Sequence, residues 1–289
     1  MRVLAGQLYT VLKLRIGIAI AVTALAGLAV TPGAAPPGWQ VLLLGLAVLF
    51  SSASAGAFNH YVERDLDARM ARTRNRPFVT GVFRPGLPWL WTIGAMLVLS
   101  VGSVALFINA TVALHTFLGA FFYGVVYTVW LKRRTPLNIV LGGLAGSFAV
   151  LAGASAINPS IPPEPLWLAI VLFLWTPPHF WSLAIVLHKD YEAGGVPMLP
   201  VVIGDARAAR IILAHTVAVV IASLVPALFY SLGWIYLLSA IVGGTWFILR
   251  SIQLVQRPDP ASARANFRAS LGQLSLLLAG CIFDPVLLG

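Results

Sequence analysis

Long apolar stretches dominate this chain, and short polar segments separate them. A helix needs about 20 mostly apolar residues to cross the roughly 30 Å hydrocarbon core of a bilayer. Nine windows meet this requirement, at about 14–31, 39–58, 88–108, 110–131, 137–157, 166–187, 210–231, 234–249 and 269–288. The longest polar segment, at about 59–87, is too short to fold around a core of its own. We therefore predict an all-α polytopic membrane protein with nine transmembrane helices, in which residues 1–289 form a single domain.

The composition agrees with lipid as the solvent of this protein. Hydrophobic side chains make up 59% of the 289 residues and charged side chains only 10%, whereas soluble domains carry about 25% charged residues. The single cysteine, Cys281, lies in an apolar stretch, which excludes a disulfide scaffold and a cysteine-based zinc site.

Positive charge is confined to five segments, each next to a predicted span. The chain has 19 Lys and Arg against 9 Asp and Glu, for a formal net charge of +10. If the spans alternate in direction, all 19 positive residues fall on one face, and such residues are retained in the cytoplasm. We predict a plasma or inner membrane protein with a cytoplasmic N-terminus and an external C-terminus. A nucleic-acid partner is excluded because the basic residues form no single soluble face.

The two long cytoplasmic loops that carry acids follow the second and the sixth span. This spacing of four helices indicates two related four-helix halves and one extra C-terminal helix. An irregular bundle with two such loops is the alternative.

The first of these loops carries a row of oxygen-bearing side chains. If the second span continues as a helix, Asn59, Glu63 and Asp67 recur every four residues and share one face, while Asp65 points away from it. Hard oxygen ligands favour Mg²⁺, which typically binds one or two carboxylates and completes its shell with water and phosphate oxygens. Acids close to hydrocarbon are costly and tend to mark functional sites. The row therefore predicts a divalent metal site at the cytoplasmic edge.

Arginines follow this acidic row, and their planar guanidinium groups match phosphate oxygens. Acids followed by arginines are typical of a site that binds a metal and a diphosphate. The alternative is that the acids form surface ion pairs in a loop that topology already makes positive.

A second cytoplasmic segment, 188–200, contains Asp190 and follows a span with two adjacent prolines, Pro177 and Pro178. We expect these prolines to break or kink the span and His179 to face the interior. That histidine could ligate a metal centre, bind a propionate or form a structural hydrogen bond. His115 and His215 are assigned to packing.

At these residues the chain resembles the UbiA superfamily of intramembrane aromatic prenyltransferases, and within it the branch of protohaem IX farnesyltransferases. The resemblance rests on four blocks in the order typical of that branch, at 59–77, 127–143, 175–181 and 189–200. Two departures stand out. Glu63 replaces the usual Asp of the first motif, and the second acidic motif of quinone-type members is reduced to Asp190.

The resemblance implies a nine-helix bundle with a cavity open to the cytoplasm, in which farnesyl is transferred to a vinyl group of haem B. Haem B would be a substrate rather than a cofactor, Mg²⁺ the metal, and a haem A synthase a partner in the bilayer. The alternatives are a prenyltransferase for a quinone precursor and a secondary transporter of an anionic metabolite. The site residues that the resemblance implies are, for catalysis, Asn59, Glu63 and Asp67; for the metal, the same three with Asp190; for the diphosphate, Arg72, Arg76, Lys132 and Lys189; and for the haem pocket, His179 and Tyr191.

Overall fold

The computed structural model describes residues 2–288, which form helices and no strands. Among these residues, eight helices are long and apolar enough to span a membrane, and a bent pair, Leu4–Val11 with Leu14–Ala29, makes a ninth. The predicted all-α, nine-span architecture is confirmed.

In chain order the helices are α1 Arg2–Val11, α2 Leu14–Ala29, α3 Gly38–Val62, α4 Arg64–Arg69, α5 Leu87–Phe107, α6 Ala110–Phe121, the π-helix Phe122–Leu131, α7 Asn138–Gly142, α8 Leu144–Ser155, α9 Pro163–Val186, α10 His188–Ala193, α11 Leu199–Ile203, α12 Asp205–Phe229, α13 Trp234–Gln256 and α14 Pro260–Leu288.

Several helices extend beyond the windows predicted from hydropathy. Helix α13 continues to Gln256 instead of ending near 249, and α14 begins at Pro260 instead of near 269. These extra turns carry Arg250, Arg264 and Arg268. A hydropathy window excludes such residues, although the helix continues through them into the polar interface.

Of the two outcomes predicted for Pro177 and Pro178, a break does not occur, because α9 runs unbroken from Pro163 to Val186. Each proline removes one backbone donor, but the helix is enclosed by α8, α12 and α14. Hydroxyl groups on either side also bond the helix backbone: Thr176 donates to the Leu172 carbonyl at 2.9 Å and Ser182 to the Pro178 carbonyl at 2.6 Å.

Helices α2 and α8 cross closely through two glycines. A Cβ atom on Gly153 would lie 1.8 Å from the carbonyl oxygen of Ala24, and one on Gly27 would lie 2.2 Å from that of Val150. A Cβ atom on Gly146 would instead meet Leu172 at an ordinary 3.8 Å. The contact between α2 and α8 therefore depends on the absence of side chains at Gly27 and Gly153.

We expect Gly153→Val to destabilise the fold by about 3 kcal/mol or more, because the added atoms overlap the backbone of α2. The melting temperature in detergent, monitored by size-exclusion chromatography, measures the loss of stability. Gly102→Val in α5 is the matched control, since a Cβ atom there meets nothing within 4 Å. Equal melting temperatures for the two variants would contradict this account of the packing.

Short helices gather at one end of the bundle and connect the long ones there. The short helix α4 follows α3 directly, α10 follows α9, and α11 precedes α12. An apolar cluster that includes Leu66, Tyr127, Trp181 and Tyr191 packs beneath them. This end of the bundle carries the oxygen-bearing row.

Candidate active site

Asn59, Glu63 and Asp67 lie on successive turns at the junction of α3 and α4. Helix α3 ends at Val62 and Glu63 lies at the interruption. The helical bonding pattern nevertheless continues, because the Glu63 N–H donates to the Asn59 carbonyl at 3.0 Å and the Asp67 N–H to the Glu63 carbonyl at 2.8 Å. Each of the three side chains is only 1% exposed. The four-residue spacing thus places three buried oxygen-bearing groups along one face.

A positively charged side chain contacts each of these three groups. Lys132 Nζ lies 2.6 Å from both carboxylate oxygens of Glu63, and Arg76 Nη1 lies 2.7 and 2.9 Å from those of Asp67. Lys13 Nζ donates to Asn59 Oδ1 at 2.6 Å. Because a buried carboxylate without a partner is strongly unfavourable, these cations allow the acids to remain in the interior.

The π-helix supplies the wall opposite the acidic row. Its wider turn is seen in the Lys132 N–H, which donates to the carbonyl of Tyr127, five residues earlier, at 2.9 Å. Thr128 accepts from Asn59 Nδ2 at 3.0 Å and donates to the Tyr123 carbonyl at 2.8 Å. The π-helix thereby directs Lys132 and Thr128 toward the row, and segments of this kind occur often at functional sites.

Lys13 contacts the row and Tyr123 contacts Lys13, although the sequence pattern does not mark them as site residues. Lys13 lies at the bend between α1 and α2 in the left-handed conformation, with φ of 48°. Its Nζ also donates to the Tyr123 hydroxyl at 2.7 Å. In the sequence, the only sign of a role for Lys13 is that it interrupts an apolar run. The positive-inside rule explains a lysine at that position without any functional site.

Asp65 and Arg133 form a separate ion pair at the surface, 2.7 Å apart, with side chains 55% and 42% exposed. Hydrogen bonds from Arg133 lower the pKa of Asp65 to about 2. At Lys132, by contrast, burial lowers the pKa and the Glu63 carboxylate opposes that shift. As predicted, Asp65 lies away from the row.

The remaining predicted ligands of the metal and the diphosphate lie at the margin of this cluster. The carboxylate of Asp190 accepts the backbone N–H groups of Ala71 and Arg72, at 3.2 and 3.4 Å. Within residues 2–288, no three Asp, Glu, His or Cys side chains are grouped to hold a metal ion. The predicted four-ligand set that includes Asp190 is therefore not assembled in this structure. Arg72 and Lys189 are exposed at the rim.

His179 and Tyr191, the predicted haem pocket, have different surroundings. His179 stacks between Trp175 and Phe267, with ring centroids 4.2 and 4.5 Å away, and its Nδ1 lies 2.7 Å from Ser270 Oγ. These contacts place His179 in the packed interface of α9 and α14 and support the structural alternative. Tyr191 is buried in the apolar cluster beneath the site, and burial raises its pKa. Only Tyr191 adjoins the site.

An apolar cavity of about 90 Å³ begins at Tyr123 and extends between α2, α3, α6 and α8. Ser51 and Ala55 of α3 and His115 of α6 line it. His115, which was assigned to packing, also bonds Ser155 Oγ at 3.0 Å. Because the Tyr123 hydroxyl contacts Lys13, the cavity leads from the polar cluster into the apolar interior.

Comparisons with known proteins agree on one family. The model of the UbiA prenyltransferase family matches residues 20–277. The chain is 57% identical over 282 residues to protoheme IX farnesyltransferase 2 of Paramagnetospirillum magneticum, and the match covers 98% of both chains. Digeranylgeranylglyceryl phosphate synthase has a similar structure, with a TM-score of 0.80, 17% identity and 98% coverage of both chains. A UbiA homologue from Archaeoglobus fulgidus bound to DMAPP and Mg²⁺ has a TM-score of 0.72 and 16% identity, with coverage of 98% of this chain and 100% of that one.

Proposed function

This chain belongs to the UbiA prenyltransferase family, and from that premise we propose that it transfers farnesyl from farnesyl diphosphate to protohaem IX. The observation that carries the proposal is the buried row Asn59, Glu63 and Asp67, surrounded by three cations, in a chain 57% identical to a protoheme IX farnesyltransferase. Family membership excludes the transporter alternative. A quinone precursor as acceptor is the remaining alternative to haem.

The donor set fits a divalent metal ion. Asn59, Glu63 and Asp67 offer hard oxygen atoms on successive turns, and two of the three are carboxylates, which matches the usual preference of Mg²⁺. These residues would hold the ion. When bound, it would neutralise negative charge that develops on the departing diphosphate.

The cations of the site bind the diphosphate beside the acidic row. Arg76 reaches Asp67 from the turn after α4, Lys132 reaches Glu63 from the end of the π-helix, and Lys13 reaches Asn59 from the bend of α1 and α2. Their N–H groups are preorganised donors for an anion. Donors that are already held in position stabilise the charge that develops on a leaving group. Arg72 and Lys189 at the rim add positive charge where the diphosphate enters.

The part of the farnesyl chain next to the diphosphate enters the cavity beyond Tyr123, which at about 90 Å³ is smaller than the whole chain. Rupture of the C1–O bond leaves its electron pair on the diphosphate and an allylic cation on the farnesyl chain. A vinyl carbon of the haem then bonds to C1, and water adds to the resulting cation and loses a proton, which gives the hydroxyethylfarnesyl group of haem O. The rings of Tyr123 and Tyr127, stacked with centroids 5.7 Å apart, offer π-faces close to that charge.

The protein is a multi-pass membrane protein, and we propose a cytoplasmic N-terminus, an external C-terminus and a site that opens to the cytoplasm. The site lies at the end of the bundle that carries the basic segments after α3 and the π-helix. The positive-inside rule assigns that end to the cytoplasm. A haem A synthase in the same bilayer would consume the product.

An acceptor assay tests the proposed function. Purified protein in detergent is incubated with Mg²⁺, farnesyl diphosphate and either haem B, 4-hydroxybenzoate or a naphthoate, and the products are identified by mass spectrometry. We expect a farnesylated, hydrated haem and no prenylated benzoate or naphthoate. Transfer to the aromatic acids without transfer to haem would replace this proposal with the quinone alternative.

We expect Lys13→Gln to lower kcat/KM for farnesyl diphosphate about 10- to 100-fold, which corresponds to the loss of a hydrogen bond from a charged donor, about 1.5–3 kcal/mol. The same assay, run at varied farnesyl diphosphate, measures this change. Arg15→Gln is the control, because Arg15 is exposed two residues away. Equal kcat/KM values in both variants would remove Lys13 from the site.

A further inference from the structure

We propose that Asp190 is a positioning residue, which acts through the turn at 70–76 rather than as a metal ligand. Its carboxylate holds that turn in the shape that directs Arg72 and Arg76 toward the diphosphate. The substrate part of this inference rests on the proposed function, while the structural part does not.

The chain reverses direction immediately after α4. Met70 is extended, with φ of −103° and ψ of 130°, and ends the helix. The Thr73 hydroxyl donates back to the Asp67 carbonyl at 2.9 Å, and the Arg76 N–H donates to the Thr73 carbonyl at 3.0 Å. This turn is what allows Arg76, nine residues after Asp67, to reach its carboxylate.

Asp190 binds the outer side of this turn. A new turn begins at Met70, whose carbonyl accepts the N–H groups of Thr73 and Arg74. The N–H groups of Ala71 and Arg72 at the start of this turn therefore have no partner within it, and both donate to the Asp190 carboxylate. A carboxylate that accepts two adjacent N–H groups fixes the direction of the backbone between them. Asp190 therefore supplies hydrogen-bond acceptors for the backbone of the turn. It also sets the position from which the Arg72 and Arg76 side chains extend.

Helix α10, which carries Asp190, is itself fixed on two sides. His188 Nδ1 lies 2.8 Å from Asp205 Oδ1, which connects α10 to the start of α12. Tyr191 is buried in one cluster with Leu66 and Met70. Gly194 faces Met70 so closely that a Cβ atom there would lie 3.2 Å from Met70 Cγ. Helix α10 thus forms a brace that contacts both α12 and the turn.

The test compares Asp190→Ala with Glu192→Gln, a control on the same helix whose side chain is exposed. Trypsin cleavage after Arg72 and Arg74 reports the order of the turn without any need for activity. We expect cleavage several-fold faster in Asp190→Ala, with the control unchanged. In the haem assay we expect KM for farnesyl diphosphate to rise about 10-fold in this variant, and the half-saturating Mg²⁺ concentration to stay within about 2-fold.

A second variant, Asp190→Asn, keeps one carbonyl acceptor and the size of the side chain, so it is expected to give intermediate cleavage even if Asp190→Ala fails to fold. A rise of about 10-fold or more in half-saturating Mg²⁺ with wild-type trypsin cleavage would overturn the proposal and make Asp190 a metal ligand. If the wild-type protein does not farnesylate haem, the proposed function fails, while faster cleavage in the Asp190 variants still supports the brace.

Discussion

The Asp67→Asn substitution is expected to lower kcat for haem farnesylation at least about 100-fold while the bundle stays folded. Asp67 is 1% exposed and bonds Arg76 through both oxygens. Asparagine keeps the size of the side chain and one acceptor for Arg76, but it removes the charge that pairs with the guanidinium and that would bind the metal in the proposed site. Product formation by mass spectrometry and the melting temperature, measured on the same preparation, separate loss of chemistry from loss of fold.

Asp65→Asn is the matched control for this prediction. Asp65 lies two residues from Asp67, yet its partner Arg133 is on the surface and both side chains are largely exposed. Such pairs contribute at most about 1 kcal/mol to stability, so we expect nearly wild-type turnover and stability. If Asp67→Asn were as active as Asp65→Asn, the buried row would have no part in catalysis.

The Lys132→Met substitution is expected to destabilise the protein by about 3–5 kcal/mol, because it leaves a buried carboxylate without its partner. Glu63 is 1% exposed, and both of its oxygens lie 2.6 Å from Lys132 Nζ. Methionine retains the unbranched apolar stem of lysine and is one atom shorter, so the loss comes mainly from charge rather than from packing. Thermal unfolding in detergent measures it.

The double substitution Lys132→Met with Glu63→Gln identifies the cause of that loss. Removal of both charges takes away the uncompensated carboxylate, so we expect most of the stability to return and activity to remain below about 1% of wild type. A double variant as unstable as Lys132→Met alone would show that packing, not charge, causes the destabilisation. Wild-type turnover in the double variant would place the Glu63 and Lys132 pair outside the reaction.

The nine spans and the acidic row could be predicted because each depends on local spacing. A run of about 20 apolar residues is sufficient to specify a span. The four-residue recurrence of Asn59, Glu63 and Asp67 survives in the structure because the bonding pattern continues through the interruption at Glu63. Arg76 and Lys132 lie at the acids because buried carboxylates require cationic partners.

Other features depend on contacts between distant segments, which periodicity does not reveal. Helix α9 continues through Pro177 and Pro178 because neighbouring helices enclose it. The π-helix has the same apolar composition as an α-helix, so the direction of Lys132 could be seen only in three dimensions. Asp190 has the residue type of a metal ligand, but its carboxylate bonds a backbone turn more than a hundred residues earlier in the chain.

Binding of farnesyl diphosphate to the purified protein, titrated by calorimetry with and without Mg²⁺, tests the central role of the buried row most directly. We predict that Mg²⁺ strengthens binding to the wild-type protein at least about 10-fold and has little effect on binding to Asp67→Asn. An equal effect of Mg²⁺ on both proteins would contradict the assignment of Asn59, Glu63 and Asp67 as the metal and diphosphate site.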